Sequence, residues 1–253
     1  MFSLANKLAI VTGAASARGI GRAIALALAH QGADVAVCDI DRQGVEGLAA
    51  EIQKTGREAL PYQVDVTRAS EIAQMVDDLY KRWGRVDILV NNAGITQPSK
   101  VVDMSEADWD RVLDVNLKGT FLFTKALLPA MLSQKYGRII NMGSVSGKRG
   151  GGIFGGAHYS AAKAGVQVFA KALAREVSPE GITVNSVAPG LIATDIRGGL
   201  ESPEEQARMS ADIPCRRMGT PEEVAAVVCF LASDEAAYIT GEEIDINGGS
   251  HMD

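Results

Sequence analysis

Seven short runs rich in Val, Ile and Leu, near residues 8–12, 34–39, 59–65, 86–91, 137–142, 182–188 and 243–246, alternate with longer stretches of helical character. The runs are mostly continuous rather than apolar-polar, which is the pattern of strands buried on both faces of a parallel sheet. The stretches between them carry helix start and stop signals. Gly32 ends one, Ser105-x-x-Asp108 resembles a capping box, and Thr220-Pro221-Glu222-Glu223 puts Pro in a first helical turn. A β-α-β-α order with right-handed crossovers predicts a doubly wound α/β fold. Its mostly parallel seven-stranded sheet has helices on both faces, and its ligands bind beyond the carboxyl ends of the strands.

With 253 residues, 47% of them hydrophobic, the chain can bury a large core, and no linker, charge block or internal repeat marks a second domain, so a single domain is expected over 1–253. Twenty-five Lys and Arg against 31 Asp and Glu give a formal charge of −6 with no basic stripe, which argues against a nucleic-acid partner. The first apolar run leads straight into a glycine turn, with no signal-peptide pattern, and no segment is long enough to span a bilayer. Cys38, Cys215 and Cys229 are widely separated and form no Cys-x-x-Cys pair, as expected of reduced thiols packed in a cytoplasmic protein. His30, His158 and His251 are equally dispersed, so no metal site is expected.

Thr12-Gly13 follows the first run, and Gly19-Ile20-Gly21 opens a helix. Glycines there let backbone approach a pyrophosphate, whose charge is favoured at the positive helix N-terminus. The second strand ends in Cys38-Asp39, about where a Rossmann-type dinucleotide fold places a carboxylate against the adenosine ribose. Asp39 can accept from a free 2′-hydroxyl and would repel a 2′-phosphate, so it favours NAD over NADP. Arg18, just before Gly19, argues the other way if it reaches a 2′-phosphate, and it is equally placed to sit in solvent beside the diphosphate.

Tyr159 and Lys163, four apart in a helical run, share one face. A nearby ammonium favours phenolate, which makes the pair a base for an alcohol proton as hydride leaves, and an acid in reverse. Ser144 directly follows the run Arg138 to Gly143, which predicts its hydroxyl at a strand end, able to hydrogen-bond a substrate oxygen.

With these residues on one chain, the sequence resembles the short-chain dehydrogenase/reductase family over essentially its whole length. The matches also include Asp65-Val66, Asn91-Asn92-Ala93-Gly94, Asn116, Pro189-Gly190, Thr194 and Asn247-Gly248-Gly249. The resemblance implies that Tyr159 is the acid/base, that Lys163 lowers its pKa and holds the nicotinamide ribose, and that Ser144 orients the carbonyl or alcohol. It implies that Asn116 holds a water in a proton relay from Lys163, and that Asp65 and Val66 edge the adenine. Asn91 to Gly94, among them Asn92 and Ala93, would support the cofactor-binding sheet, while Pro189, Gly190, Ile192 and Thr194 would flank the nicotinamide. Gly13, Arg18, Gly19, Ile20, Gly21 and Asp39 complete the cofactor set. A homotetramer is implied too, with helices around 105–132 and 158–178 pairing between subunits.

The chain departs from the family pattern in its glycine turn, where five residues, Ala14 to Arg18, replace the usual three. The stretch 147–156 is mostly glycine and is expected to border the substrate. Lys148 and Arg149 in it are either solvated or bind an anionic group. Gln97, Ser146, Ile153, Phe154 and His158 are candidate pocket residues, and 191–215 occupies the position of a lid. The leading expectation is an NAD-dependent dehydrogenase for a small secondary alcohol, polyol or sugar. The alternatives are an NADPH-dependent ketoreductase of the oxoacyl-carrier type and a non-catalytic dinucleotide-binding regulator, which would be expected to lack one of the four polar groups.

Overall fold

The structure, a computed structural model, describes residues 2–151, 155–196 and 202–252. Seven strands form one wholly parallel sheet in the order β3-β2-β1-β4-β5-β6-β7. They are β1 Leu8–Thr12, β2 Asp34–Asp39, β3 Ala59–Gln63, β4 Ile88–Asn91, β5 Gly137–Met142, β6 Ile182–Pro189 and β7 Glu243–Ile246. The strand order reverses between β1 and β4, which opens a crevice at the carboxyl edge. The third strand stops two residues earlier than the apolar run suggests, and the fourth starts two later. At the latter, Asp87 turns its buried carboxylate to the Leu8 amide and to Arg85.

Burial on both faces follows from the alternation along each strand. Ala9 and Val11 of β1 face one layer with α1 (Ile20–His30), α2 (Arg42–Gln53) and α9 (Pro221–Ala232). Ile10 faces the other, with α3 (Ala69–Trp83), α5 (Gly119–Gln134) and α7 (Ala157–Val177). Each layer is anchored by fully buried side chains, Ile24, Leu28 and Leu48 on one side and Phe123, Leu127 and Leu79 on the other. Each contributes about 1.5–3 kcal/mol of apolar burial. The caps follow the sequence: Gly32 takes φ +103° beyond α1, and Thr220 and Glu223 form a reciprocal capping box at α9. Ser105 accepts from the Asp108 amide at the start of α4 (Glu106–Leu113), and its hydroxyl donates to the Asp108 carboxylate. Two shorter helices, α6 (Val145–Arg149) and α8 (Pro203–Ser210), follow β5 and β6. Among the described residues no helix is long and apolar enough to cross a membrane.

Candidate active site

At the crevice the glycine turn is stitched to the end of β4. The Thr12 hydroxyl accepts from the Asn92 and Ala93 amides, each at 3.0 Å, and Asn92 Nδ2 donates to the carbonyls of Thr12 and Gly13, each at 2.9 Å. This closeness is why glycine is required. A Cβ at Gly13, where φ is +66°, would stand 2.6 Å from Ala93 Cα, and one at Gly21 would stand 2.5 Å from Asn92 Nδ2. Gly19 caps α1 without any side-chain hydrogen bond, its own amide donating to the Ser16 carbonyl, and the first turn carries no acidic residue, so the amides of Ile20 and Gly21 are open to an anion. The turn therefore fits a dinucleotide diphosphate.

Asp39 ends β2, as the sequence indicates, and its carboxylate holds the lengthened loop by accepting from the Ala15 amide at 3.0 Å and the Asp41 amide at 3.2 Å. Beside it a cleft of about 390 Å³ is lined by Ile40, Gln63, Asp65 and Glu71. Asp65 is itself tied to Thr67 and Arg68, and Val66 is buried against Gly119. Arg18 points away from this cleft. Its guanidinium pairs with Asp195 at 2.6 Å, and its backbone amide donates to the same carboxylate at 3.2 Å.

The opposite wall of the crevice is built where β5 meets α7. Ser144 caps α6, its hydroxyl accepts from the Ser146 amide at 3.1 Å, and it hydrogen-bonds Tyr159. Burial pushes the Tyr159 phenol above its usual value, while the Ser144 bond pulls it back down. Lys163, one turn on and only 4% exposed, donates to the Met142 carbonyl at 2.7 Å, and its ammonium lies 5.7 Å from the Tyr159 ring centre. Burial lowers its pKa from 10.5 to about 8.

Asn116 comes to the same place by a different device. It lies within one π-helical turn, Asp114–Lys118, between α4 and α5, where Gly119 donates to the Asp114 carbonyl five residues back. Its side chain is fixed by the neighbouring backbone: Nδ2 donates to the carbonyls of Val112 and Ile95, each at 2.9 Å. With both amide hydrogens used, the buried Oδ1 has no partner among the described residues. It faces Gly94, where a Cβ would stand 2.6 Å from it and 3.4 Å from Lys163 Nζ. An acceptor thus meets a buried amine across a gap that only glycine leaves open.

Pro189 ends β6, Gly190 packs on Asn247, Ile192 bridges to Gly219, and Thr194 is buried. Gln97 hydrogen-bonds Asp108, and Ser146 is buried beside Ser144. His158 is fully buried: its Nδ1 accepts from the Tyr159 amide at 2.9 Å, and its Nε2 has no partner among the described residues. Ile153 and Phe154 lie outside the described residues. Lys148 is not solvated, because it pairs with Asp245 at 2.7 Å, and Arg149 donates to the Ser250 carbonyl.

A family model described as enoyl-(acyl carrier protein) reductase matches residues 13–251. A protein of Sinorhizobium fredii named an uncharacterized short-chain type dehydrogenase/reductase is 46% identical over 247 residues, 97% of this chain and 98% of its own. The chain belongs to the short-chain dehydrogenase/reductase family. The 3-oxoacyl-[acyl-carrier-protein] reductase of Escherichia coli is 44% identical, with 98% of each chain covered. A short-chain type dehydrogenase/reductase from Mycobacterium marinum has a crystal structure that superposes with a TM-score of 0.93 at 38% identity, covering 100% of this chain and 98% of that one. As a short-chain dehydrogenase/reductase, the protein is an oxidoreductase that binds a nicotinamide cofactor.

Three residues at the site have roles that the sequence reading did not give them. Thr12 is a buried polar residue closing an apolar strand, a visible signal. Gln167 lies four beyond Lys163 on the same helix and could have been found by extending that spacing. Asp195, the partner of Arg18, is 177 residues away from it, and nothing local announces it.

Proposed function

We propose that the protein transfers hydride between NAD(H) and a small secondary alcohol, polyol or sugar and its ketone, with Tyr159 as acid/base. The observation that carries this reading is the hydrogen bond between Ser144 and Tyr159 with the Lys163 ammonium one helical turn away. In the oxidative direction the Tyr159 phenolate takes the hydroxyl proton, and the Ser144 hydroxyl donates to the same substrate oxygen as it becomes a carbonyl. In reduction the Tyr159 phenol gives that proton back to the forming alkoxide. The nicotinamide, when bound, accepts or supplies the hydride.

Lys163 favours the phenolate while it remains an ammonium, below about pH 8 in the cofactor-free protein. Asn116 Oδ1 holds the water that relays the proton outward. In this reading the glycine turn takes the diphosphate, Asp65 and Val66 edge the adenine, and Pro189, Gly190, Ile192 and Thr194 flank the nicotinamide. Gln97, Ser146 and His158 border the substrate. Residues 191–215, of which 197–201 lie outside the described residues, are the candidate lid of a single catalytic domain.

NAD is favoured because the Asp39 carboxylate would face a 2′-phosphate, whereas Arg18, the cation that could offset it, is paired with Asp195. A second reading, NADPH-dependent reduction of an oxoacyl carrier, is supported by the 44% identity to the Escherichia coli reductase. A non-catalytic regulator would have no need of all four polar groups, and all four are present. We further propose a cytoplasmic homotetramer, for which Phe121 on α5 and Val168 on α7, 43% and 64% exposed, supply apolar contact surface.

The test is a panel of secondary alcohols, polyols, sugars and oxoacyl thioesters with both cofactors, read as NAD(P)H absorbance. Turnover with NAD and an alcohol or polyol is expected, and Tyr159→Phe should abolish it while still binding cofactor. Turnover confined to NADPH and oxoacyl thioesters would replace the first reading by the second. Unchanged turnover in Tyr159→Phe would remove the mechanism.

A further inference from the structure

One buried side chain beside Ser144 has no part in the proton path. Gln167 is 4% exposed and lies on α7 two turns beyond Tyr159 and one beyond Lys163, so the three residues form one stripe. All three touch the turn that presents Ser144. Lys163 donates to the Met142 carbonyl, Tyr159 bonds the Ser144 hydroxyl, and Gln167 Nε2 donates to the Ser144 carbonyl at 2.9 Å. Gln167 also donates to the Glu243 carboxylate on β7.

Its path to Ser144 is cut by two glycines on either side of that residue. A Cβ at Gly143 would stand 2.9 Å from Gln167 Nε2, and one at Gly147 would stand 2.9 Å from Gln167 Cδ and 2.8 Å from the Ala164 amide. The amide is thus set into the turn from strand to helix, so Ser144 cannot shift along β5 without breaking its bond to Gln167.

We propose that Gln167 is a positioning residue that holds Ser144 against Tyr159, with Glu243 as its anchor. The proposal rests on the roles given above to Ser144 and Tyr159. An apolar side chain at 167 would leave the Ser144 carbonyl and the Glu243 carboxylate without this donor, and the turn would relax at its catalytic residue. Hydrogen-bond loss of this kind is worth about fivefold to tenfold in an equilibrium between held and released turns.

The experiment follows the Tyr159 hydroxyl directly, so it needs no substrate. Carbon-13 tyrosine-labelled protein is observed by NMR at neutral pH, with the Tyr159 ring resonance assigned from Tyr159→Phe. Gln167→Leu should move that resonance in the same direction as Ser144→Ala, with the remaining tyrosines unmoved. Glu243→Leu, which leaves Gln167 in place to fill its site, should move it part of the way. Glu243→Gln, which keeps an acceptor, should leave it as in the wild type.

With a substrate from the panel above, Gln167→Leu should lower kcat about fivefold to tenfold and leave the cofactor KM unchanged, as loss of a transition-state contact does. A Tyr159 resonance identical to wild type in folded Gln167→Leu and Glu243→Leu would overturn the proposal. If the resonances move as stated while the wild type turns over nothing on the panel, the positioning role stands and the assigned reaction falls.

Discussion

Replacing Lys163 by Met should make the cofactor-free protein more stable at neutral pH while abolishing turnover, and the gain should fade as pH rises. Burial lowers the amine from 10.5 to about 8, so holding it charged in the fold at neutral pH costs about 3 kcal/mol at about 1.4 kcal/mol per unit. The unfolded chain binds the proton more tightly than the folded one. Wild-type stability from this group is therefore full above 10.5 and lost as pH falls through about 8. Against the gain stands the bond to the Met142 carbonyl, whose loss inside the fold costs about 1–3 kcal/mol.

The net difference at neutral pH is thus small and positive, about 0–2 kcal/mol, but its pH dependence is free of the hydrogen-bond term. Between neutral pH and about 9.5 the wild type should gain about 2 kcal/mol on Lys163→Met. At about 2–4 °C per kcal/mol for a chain of this size, the two melting temperatures should shift relative to one another by about 4–8 °C. Calorimetry of both proteins across that range, without cofactor, decides it. A difference constant with pH would refute the argument that burial of this amine sets its proton affinity.

Three further outcomes test other parts of the site. Gly21→Ala would drive a Cβ against Asn92 and the Gly13 carbonyl, so it should lose about 1–3 kcal/mol in a urea melt and weaken cofactor binding in a fluorescence titration; a variant that melts and binds as wild type would count against the packing argument. Asp39→Ser should raise the NADP-to-NAD ratio of kcat/KM by about tenfold or more, whereas Arg18→Ala, already committed to Asp195, should change it less than about twofold. Phe121→Asp with Val168→Asp should lower the mass measured by light scattering if α5 and α7 meet a second copy, and a mass unchanged from that of the wild type would exclude that face.

Much of the fold was legible because it is encoded locally. Apolar runs mark the strands, Gly32 marks a helix end through its backbone freedom, and Thr220 and Glu223 mark another through their capping side chains. The positions of Asp39 at the end of β2 and of Ser144 just beyond β5 follow from the same runs. What the sequence hides is pairing across the chain. Arg18 reads equally well as a phosphate ligand or a solvated side chain until Asp195 is seen beside it, and Lys148 reads as loop charge until Asp245 takes it. The place of Asn116 was equally hidden, since its spacing fits an ordinary helix and only the π-turn shows why its side chain is turned inward.

That turn has a consequence for how the gene can change. A π-turn is an α-helix with one residue too many, and removing any one residue between Asp114 and Lys118 would let α4 and α5 join in regular register. The repaired helix would recover its ordinary backbone ladder. Yet everything before the repair would be rotated by about 100° against everything after it. The segment is thus a place where a single-codon deletion improves the local structure and removes the acceptor facing Lys163, so at every position but Asn116 it should tolerate substitutions far better than changes in length.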